Sequence, residues 1–218
     1  MSAARPIVIA LALALAAASS AFADDEAGSG RRAAPPSKPS WDFALTAYPT
    51  QVRNGNDYTS GVAAADRGPL HLEARINYEG VGARSAFVGW TFSGGEDVTW
   101  EVTPIVGGAW GSTRAFVPGF EASVASGRLD FYVEAEYVRD HGDLNSSYTY
   151  AWSELGFRPA EWLRAGLVAQ RTRAYGGDRD IQRGPFAQLT WRKFTLGGFW
   201  FNPGASDQVF VLALGAAF

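Results

Sequence analysis

QVFVLALGAAF, residues 208–218, decides how the rest of this sequence is read. Phe210, Leu212, Leu214, Ala216 and Phe218 recur at every second position, which gives a strand one wholly apolar face. The same period runs back through the chain. In LHLEARINY (70–78), Leu70, Leu72, Ala74, Ile76 and Tyr78 oppose His71, Glu73, Arg75 and Asn77. Ala86, Val88, Trp90 and Phe92 oppose Ser85, Gly89 and Thr91, with Phe87 breaking the polar face. Val98, Trp100 and Val102 oppose Thr99, Glu101 and Thr103. Leu129, Phe131, Val133, Ala135 and Tyr137 oppose Asp130, Tyr132, Glu134 and Glu136. Leu163, Ala165, Leu167 and Ala169 oppose Arg164, Gly166, Gln170 and Thr172, with Val168 the exception. One such strand alone suits a soluble sandwich equally well.

Turn signals divide the chain. Short turns are expected near 80–83 (GVGA), 107–108 (GG), 126–127 (SG), 159–161 (PAE) and 192–193 (RK). Longer polar loops are expected near 51–69, 139–147, 174–182 and 203–207. Between them fall strands 41–50, 70–79, 84–93, 97–106, 109–117, 119–125, 128–138, 148–158, 162–173, 183–191, 194–202 and 208–218. That is about twelve, or about ten if the hairpin 109–117/119–125 is lost; an even count returns both termini to one side. The short turns then all fall on that side and the longer loops on the other.

Composition agrees. A chain of 218 residues implies one domain, and a net charge of −3 excludes the basic face that a nucleic-acid partner needs. There is no cysteine, which removes disulfides, thiolate metal sites, thiol nucleophiles and a lipoprotein anchor. Aromatics at 14% and 25 glycines suit many short strands and tight turns. No cofactor motif stands anywhere in the chain. Residues 1–23 read as a signal peptide: Arg5, an apolar run from Ile7 to Ala18, and the cleavage site Ala21-Phe22-Ala23. Residues 24–40 (DDEAGSGRRAAPPSKPS) cannot bury a core and read as a flexible periplasmic tether, leaving 41–218 as the barrel.

The segment 208–218 resembles the C-terminal targeting strand of bacterial outer-membrane β-barrel proteins, which ends in an aromatic residue with apolar residues at alternate positions. The resemblance implies an all-β, transmembrane antiparallel barrel in the outer membrane. It also implies recognition by the barrel-assembly machinery, through Phe218, Leu214, Leu212 and Phe210, and contact with outer-membrane lipids and lipopolysaccharide. Backbone polar groups cannot stay unpaired in lipid, so a membrane sheet must close on itself. Strands of about 9–11 residues tilted by about 45° span the hydrocarbon layer. Trp41, Trp162 and Trp191 are expected in a periplasmic aromatic girdle, and Tyr48, Phe92, Tyr148 and Phe201 in an outer one.

If the apolar faces meet lipid, the other faces line the interior. Glu73, Glu101, Glu121, Asp130, Glu134, Glu136 and Glu154 are expected there, against Arg75, Arg128, Arg158 and Arg164. Two readings stand side by side. The charges line a narrow, cation-leaning pore for small solutes, or they pair across strands in a plugged barrel with a structural or surface-interaction role. Tyr132, Tyr150, Trp152 and Phe186 also face inward and narrow the path.

A third reading, a lipid- or peptide-hydrolysing barrel enzyme, ranks below these two, and no catalytic residues are expected. His71 faces inward near the outer end of its strand, with Ser93 and Thr91 as its nearest hydroxyls, but no orienting acid or oxyanion site accompanies them. His141 sits in a polar loop. Asp140 and Asp143, and Asp178 and Asp180, are spaced too loosely for a calcium loop, so no metal site is expected either. Arg171, Arg173, Arg179 and Arg183 suit contacts with lipopolysaccharide.

Overall fold

The computed structural model describes residues 39–174 and 179–218, so the signal peptide and nearly all of the tether lie outside the described residues. The strands are β1 (Asp42–Val52), β2 (Tyr58–Arg67), β3 (Leu70–Ile76), β4 (Ala83–Trp90), β5 (Phe92–Gly94), β6 (Val98–Gly111), β7 (Ala115–Ser126), β8 (Leu129–Asp140), β9 (Tyr148–Ala160), β10 (Leu163–Ala174), β11 (Arg179–Trp191), β12 (Phe194–Phe201) and β13 (Val209–Ala217). Each pairs antiparallel with its chain neighbour, and β5 continues β4 past Thr91, so together they form one stave against β6. The ring closes where β1 meets β13, in register from Ala44↔Ala217 to Val52↔Val209. Phe43 and Phe218 exchange backbone hydrogen bonds at 3.1 and 2.8 Å on that seam. The result is a closed antiparallel barrel of 12 staves, its sheet joined edge to edge.

The faces are inverted relative to a soluble protein. Leu45, Ile76, Leu155, Leu167 and Leu214 are exposed on the outer wall, while Glu73, Arg75, Glu134, Glu136, Glu154 and Arg164 are buried inside. In β13 the alternation falls as the sequence predicts, with Phe210, Leu214 and Phe218 outward and Val209, Val211 and Ala213 packed inside.

The stave count is reached through two compensating errors in the sequence reading. Residues 51–69, expected as a loop, contain β2. Its outward face is Gly61, Ala63 and Ala65, so no large side chain marks the period there. Conversely, the Gly107-Gly108 pair is not a turn: 97–106 and the start of 109–117 are one strand, β6, and the chain turns at 112–114. Gly107 is needed for packing. A Cβ there would stand 2.3 Å from the Ala86 carbonyl and 2.4 Å from the Phe87 ring.

Moving these turns changes the ends of the barrel. The rim carrying both termini has the tight connections 68–69, 95–97, 127–128, 161–162 and 192–193. The far rim has 53–57, 77–82, 112–114, 141–147 and 202–208. The asymmetry survives with a different membership, since 80–83 belongs to the far rim. The termini rim carries exposed Trp41, Trp162 and Trp191 as expected. The expected outer girdle does not form. Tyr48 and Phe201 are buried inside, Tyr148 is half-buried against interior side chains, and Phe92, though exposed, lies near the termini rim. Exposed Trp110 and Phe116 flank the 112–114 turn at the far rim instead.

Candidate functional site

The interior is built from two arginine-centred networks and an aromatic cluster. Arg75 on β3 donates from Nε to Glu73 Oε1 (2.7 Å) and from Nη2 to Glu73 Oε2 (2.9 Å). Its Nη1 reaches Glu136 Oε1 at 2.6 Å and Glu134 Oε1 at 3.3 Å, both on β8. The guanidinium also lies 4.3 Å from the ring centres of Tyr78 and Phe87. That contact explains why Phe87 interrupts a polar face: it lies inside, over Arg75, where a desolvated cation gains from an aromatic ring.

The chain then folds into the barrel. β3 ends at Ile76, and Asn77 takes a positive φ of 54°, a conformation that asparagine tolerates better than most residues. Asn77 fixes the bend by accepting from Gly82 N (2.8 Å) and donating to the Thr59 carbonyl (2.8 Å). Tyr78 and Glu79, each 1% exposed, consequently enter the interior. The Tyr78 hydroxyl donates to Glu134 Oε1 at 3.1 Å, Ser85 donates to Glu79 Oε1 at 2.6 Å, and Tyr148 on β9 donates to the Glu79 carbonyl at 2.8 Å. Strands β8 and β9 stand far round the ring from β3, so the bonds of Tyr78 to Glu134 and of Tyr148 to Glu79 cross the lumen. The sequence reading placed Tyr78 on the lipid face and passed over Glu79. The Asn77-x-x-Gly80 stretch, with asparagine and glycine flanking the pair, was the available signal.

Nearer the termini rim, Arg164 on β10 donates from Nε to Asp130 Oδ1 (2.8 Å) and from Nη1 to Gln188 Oε1 (2.9 Å), and it pairs closely with Glu154. Trp152 Nε1 donates to Glu154 Oε1 at 2.8 Å, and Arg158 Nε reaches Asp130 Oδ2 at 3.1 Å. Trp152 stacks edge-on against Phe199 and Phe201, with centroids 5.2 and 5.3 Å away, and Phe186 lies against Phe199. Tyr132 and Tyr150 join this interior as well. Glu134, Glu154, Trp152 and Phe201 are 0% exposed, so these residues are packed out of reach of water.

The remaining sequence candidates are placed as follows. Glu121 is half-buried on β7, and Glu101 is exposed on the face it shares with Thr103, towards the termini rim. His71 lies beside the termini rim, since its strand neighbour Asp66 pairs with Asp42; the expected outer-end position is wrong because β2 was missed. Its Nδ1 is 2.7 Å from Asp66 Oδ1 and its Nε2 is 3.7 Å from Glu73 Oε2, so an acid orients it and its recorded partners are carboxylates. Ser93 is exposed near that rim, and Thr91 bonds Thr103. In the far-rim loop, Asp140 accepts from the backbone N–H groups of Gly142 and Asp143, and Asp143 caps the 3-10 turn Leu144–Ser146. Asp178 and the side chains of Arg173 and Arg179 lie outside the described residues.

No protein-family model matches the chain. No curated protein matches it either. Among solved structures it is similar to a KdgM porin, with a TM-score of 0.56 at 10% identity, over 80% of this chain and 98% of that one. It is likewise similar to a KdgM porin in complex with disordered oligogalacturonate, with a TM-score of 0.58 at 8% identity over the same shares. The Pseudomonas aeruginosa OccK5 (OpdH) structure aligns at a TM-score of 0.43 and 9% identity, over 78% of this chain and 62% of that one. The two KdgM alignments show the fold of an outer-membrane porin barrel.

Proposed function

We propose that this chain is an outer-membrane β-barrel whose lumen is held shut at mid-barrel, a structural or surface-interaction protein and not an enzyme. The observation that carries the proposal is the inward bend at Asn77. It buries Tyr78, Glu79 and Gly80, tying Tyr78 to β8 and Glu79 to β9 across the lumen. The termini rim is the periplasmic one in this reading, and export by the signal peptide and insertion by the barrel-assembly machinery precede folding. Arg171 and Arg183, exposed on the outward face near the far rim, would meet lipopolysaccharide phosphates. The test is swelling of liposomes that contain the purified protein. Uptake of arabinose at the lipid-only rate supports closure, and faster uptake contradicts it.

A second reading has its own support. Among the described inward residues, carboxylates outnumber guanidinium groups, and the fold is one that porins use. If the 77–82 segment swings out, the same acids would line a narrow, cation-leaning pore. Oligogalacturonate, bound by the KdgM porin, is a polyanion that such a lining repels, so that ligand is not carried over.

A further inference from the structure

We infer that His71, Glu73 and Glu121 form a binding site for a divalent transition-metal ion at the periplasmic-side mouth of the lumen, with Asp66 as the residue that orients the histidine.

His71 and Glu73 sit two apart on β3, so both point inward, and Glu121 on β7 faces them across β4 and β6. Gly89 on β4, directly opposite His71, is buried and adds no side chain at that level, and Ile105 and Thr103 of β6 pack against it. One ligand atom from each of the three residues lies within 4.8 Å of the others. Two atoms bound to one zinc ion stand at most about 4.2 Å apart, given metal–ligand distances near 2.1 Å. The His71–Glu73 separation of 3.7 Å already meets that limit, and half-buried Glu121 has the side-chain length to close the rest.

Two further observations point to a ligand. His71 is 9% exposed, and its Nε2 is a buried nitrogen that makes no hydrogen bond and lies 3.7 Å from Glu73 Oε2. Its other nitrogen is held by Asp66 at 2.7 Å. An imidazole oriented by a carboxylate on one nitrogen, with its other nitrogen free of hydrogen bonds and close to a second carboxylate, is an arrangement that supports a metal-ligating histidine. The local clustering of carboxylates also favours a cation. Glu73, Glu79, Glu134 and Glu136 all lie within 3.7 Å of Arg75, and Asp66 and Glu121 add to them, so one guanidinium is outnumbered. Glu73 accepts from Arg75 through both oxygens, yet each carboxylate oxygen has two lone pairs and Oε2 retains one for a metal. One nitrogen and two carboxylate donors favour Zn2+ or a neighbouring transition ion over Ca2+, which prefers six or more oxygens. Asp66 is 47% exposed through its side chain, which leaves the site reachable from the rim.

The test uses the untagged barrel folded in detergent, dialysed against Zn2+ alone and, separately, Ca2+ alone, with metal per chain measured after gel filtration. One zinc per chain is expected, together with a higher temperature for conversion of the folded band on gels. His71→Ala and Glu121→Gln should each weaken zinc binding more than about tenfold, and Asp66→Asn by about 10–100-fold. Glu121→Gln preserves shape and serves if His71→Ala does not fold. Absence of zinc, unchanged zinc in both folded variants, or calcium binding indifferent to His71→Ala would each overturn the site. In the first case His71 is only an ion-pair partner of Asp66 and Glu73.

Discussion

Replacing Arg75 with methionine keeps much of the side chain's volume and removes its charge. Arg75 is 2% exposed, and its guanidinium makes close contacts with Glu73, Glu136 and Glu134. Glu134 keeps the hydroxyl of Tyr78 at 3.1 Å, but Glu73 and Glu136 lose their strongest partner while remaining buried. Breaking a buried ion pair in this way costs about 3–5 kcal/mol, because an uncompensated charge is left in a dry site. The contacts share one cation, so their losses do not sum, and about 3–5 kcal/mol is expected for the whole substitution. At about 1.4 kcal/mol per tenfold, the unfolding equilibrium shifts by more than about a hundredfold. Urea titration in lipid vesicles measures this, with the unboiled-gel transition as a kinetic companion. Adding Glu73→Gln and Glu136→Gln to Arg75→Met removes the stranded charges and should restore much of the loss. A cost below about 1 kcal/mol, the range for solvated pairs, would refute the dry interior and favour a water-filled lumen.

Other outcomes follow from the same geometry. Trp152→Ala empties the centre of the aromatic cluster and should cost about 3–5 kcal/mol in the same titration, with the barrel still forming. Glu134→Gln with Glu136→Gln leaves Arg75 its two bonds to Glu73, so it should destabilise less than Arg75→Met; if the lumen conducts, the reversal potential in a salt gradient should show reduced cation preference. Replacing Phe218, which is outward and seals the β1–β13 seam through Phe43, with aspartate should leave protein in the periplasm on cell fractionation. Outer-membrane levels equal to those of the unaltered chain would remove Phe218 from the assembly signal.

The barrel was legible because lipid and lumen impose opposite chemistry on alternate residues. Where the outward side chains are large, as in β3, β8 and β13, the period is plain and boundaries agree within a few residues. In β2 the outward residues are glycine and alanine, so the alternation has no amplitude and the strand reads as a loop. Gly107-Gly108 deceives for the complementary reason: glycine serves as packing space for Phe87, while sequence reads it as a turn. Parity puts Glu73, Arg75, Glu134, Glu136, Glu154 and Arg164 on the face that is buried here, because parity does not depend on tertiary contacts. What parity cannot reach is how the lumen is filled. The fold-in at Asn77 breaks the period, and the arginine networks join strands far apart in sequence, so neither the closure nor the approach of Glu121 to His71 leaves a local trace.

Single-channel recording of the purified barrel in planar bilayers tests the closed lumen most directly. With Tyr78 and Glu79 bonded across the interior, the account predicts a silent bilayer at moderate voltage, even when insertion is verified by recovering folded protein from the membrane. Stable, stepwise conductance from the unaltered chain under those conditions would contradict it.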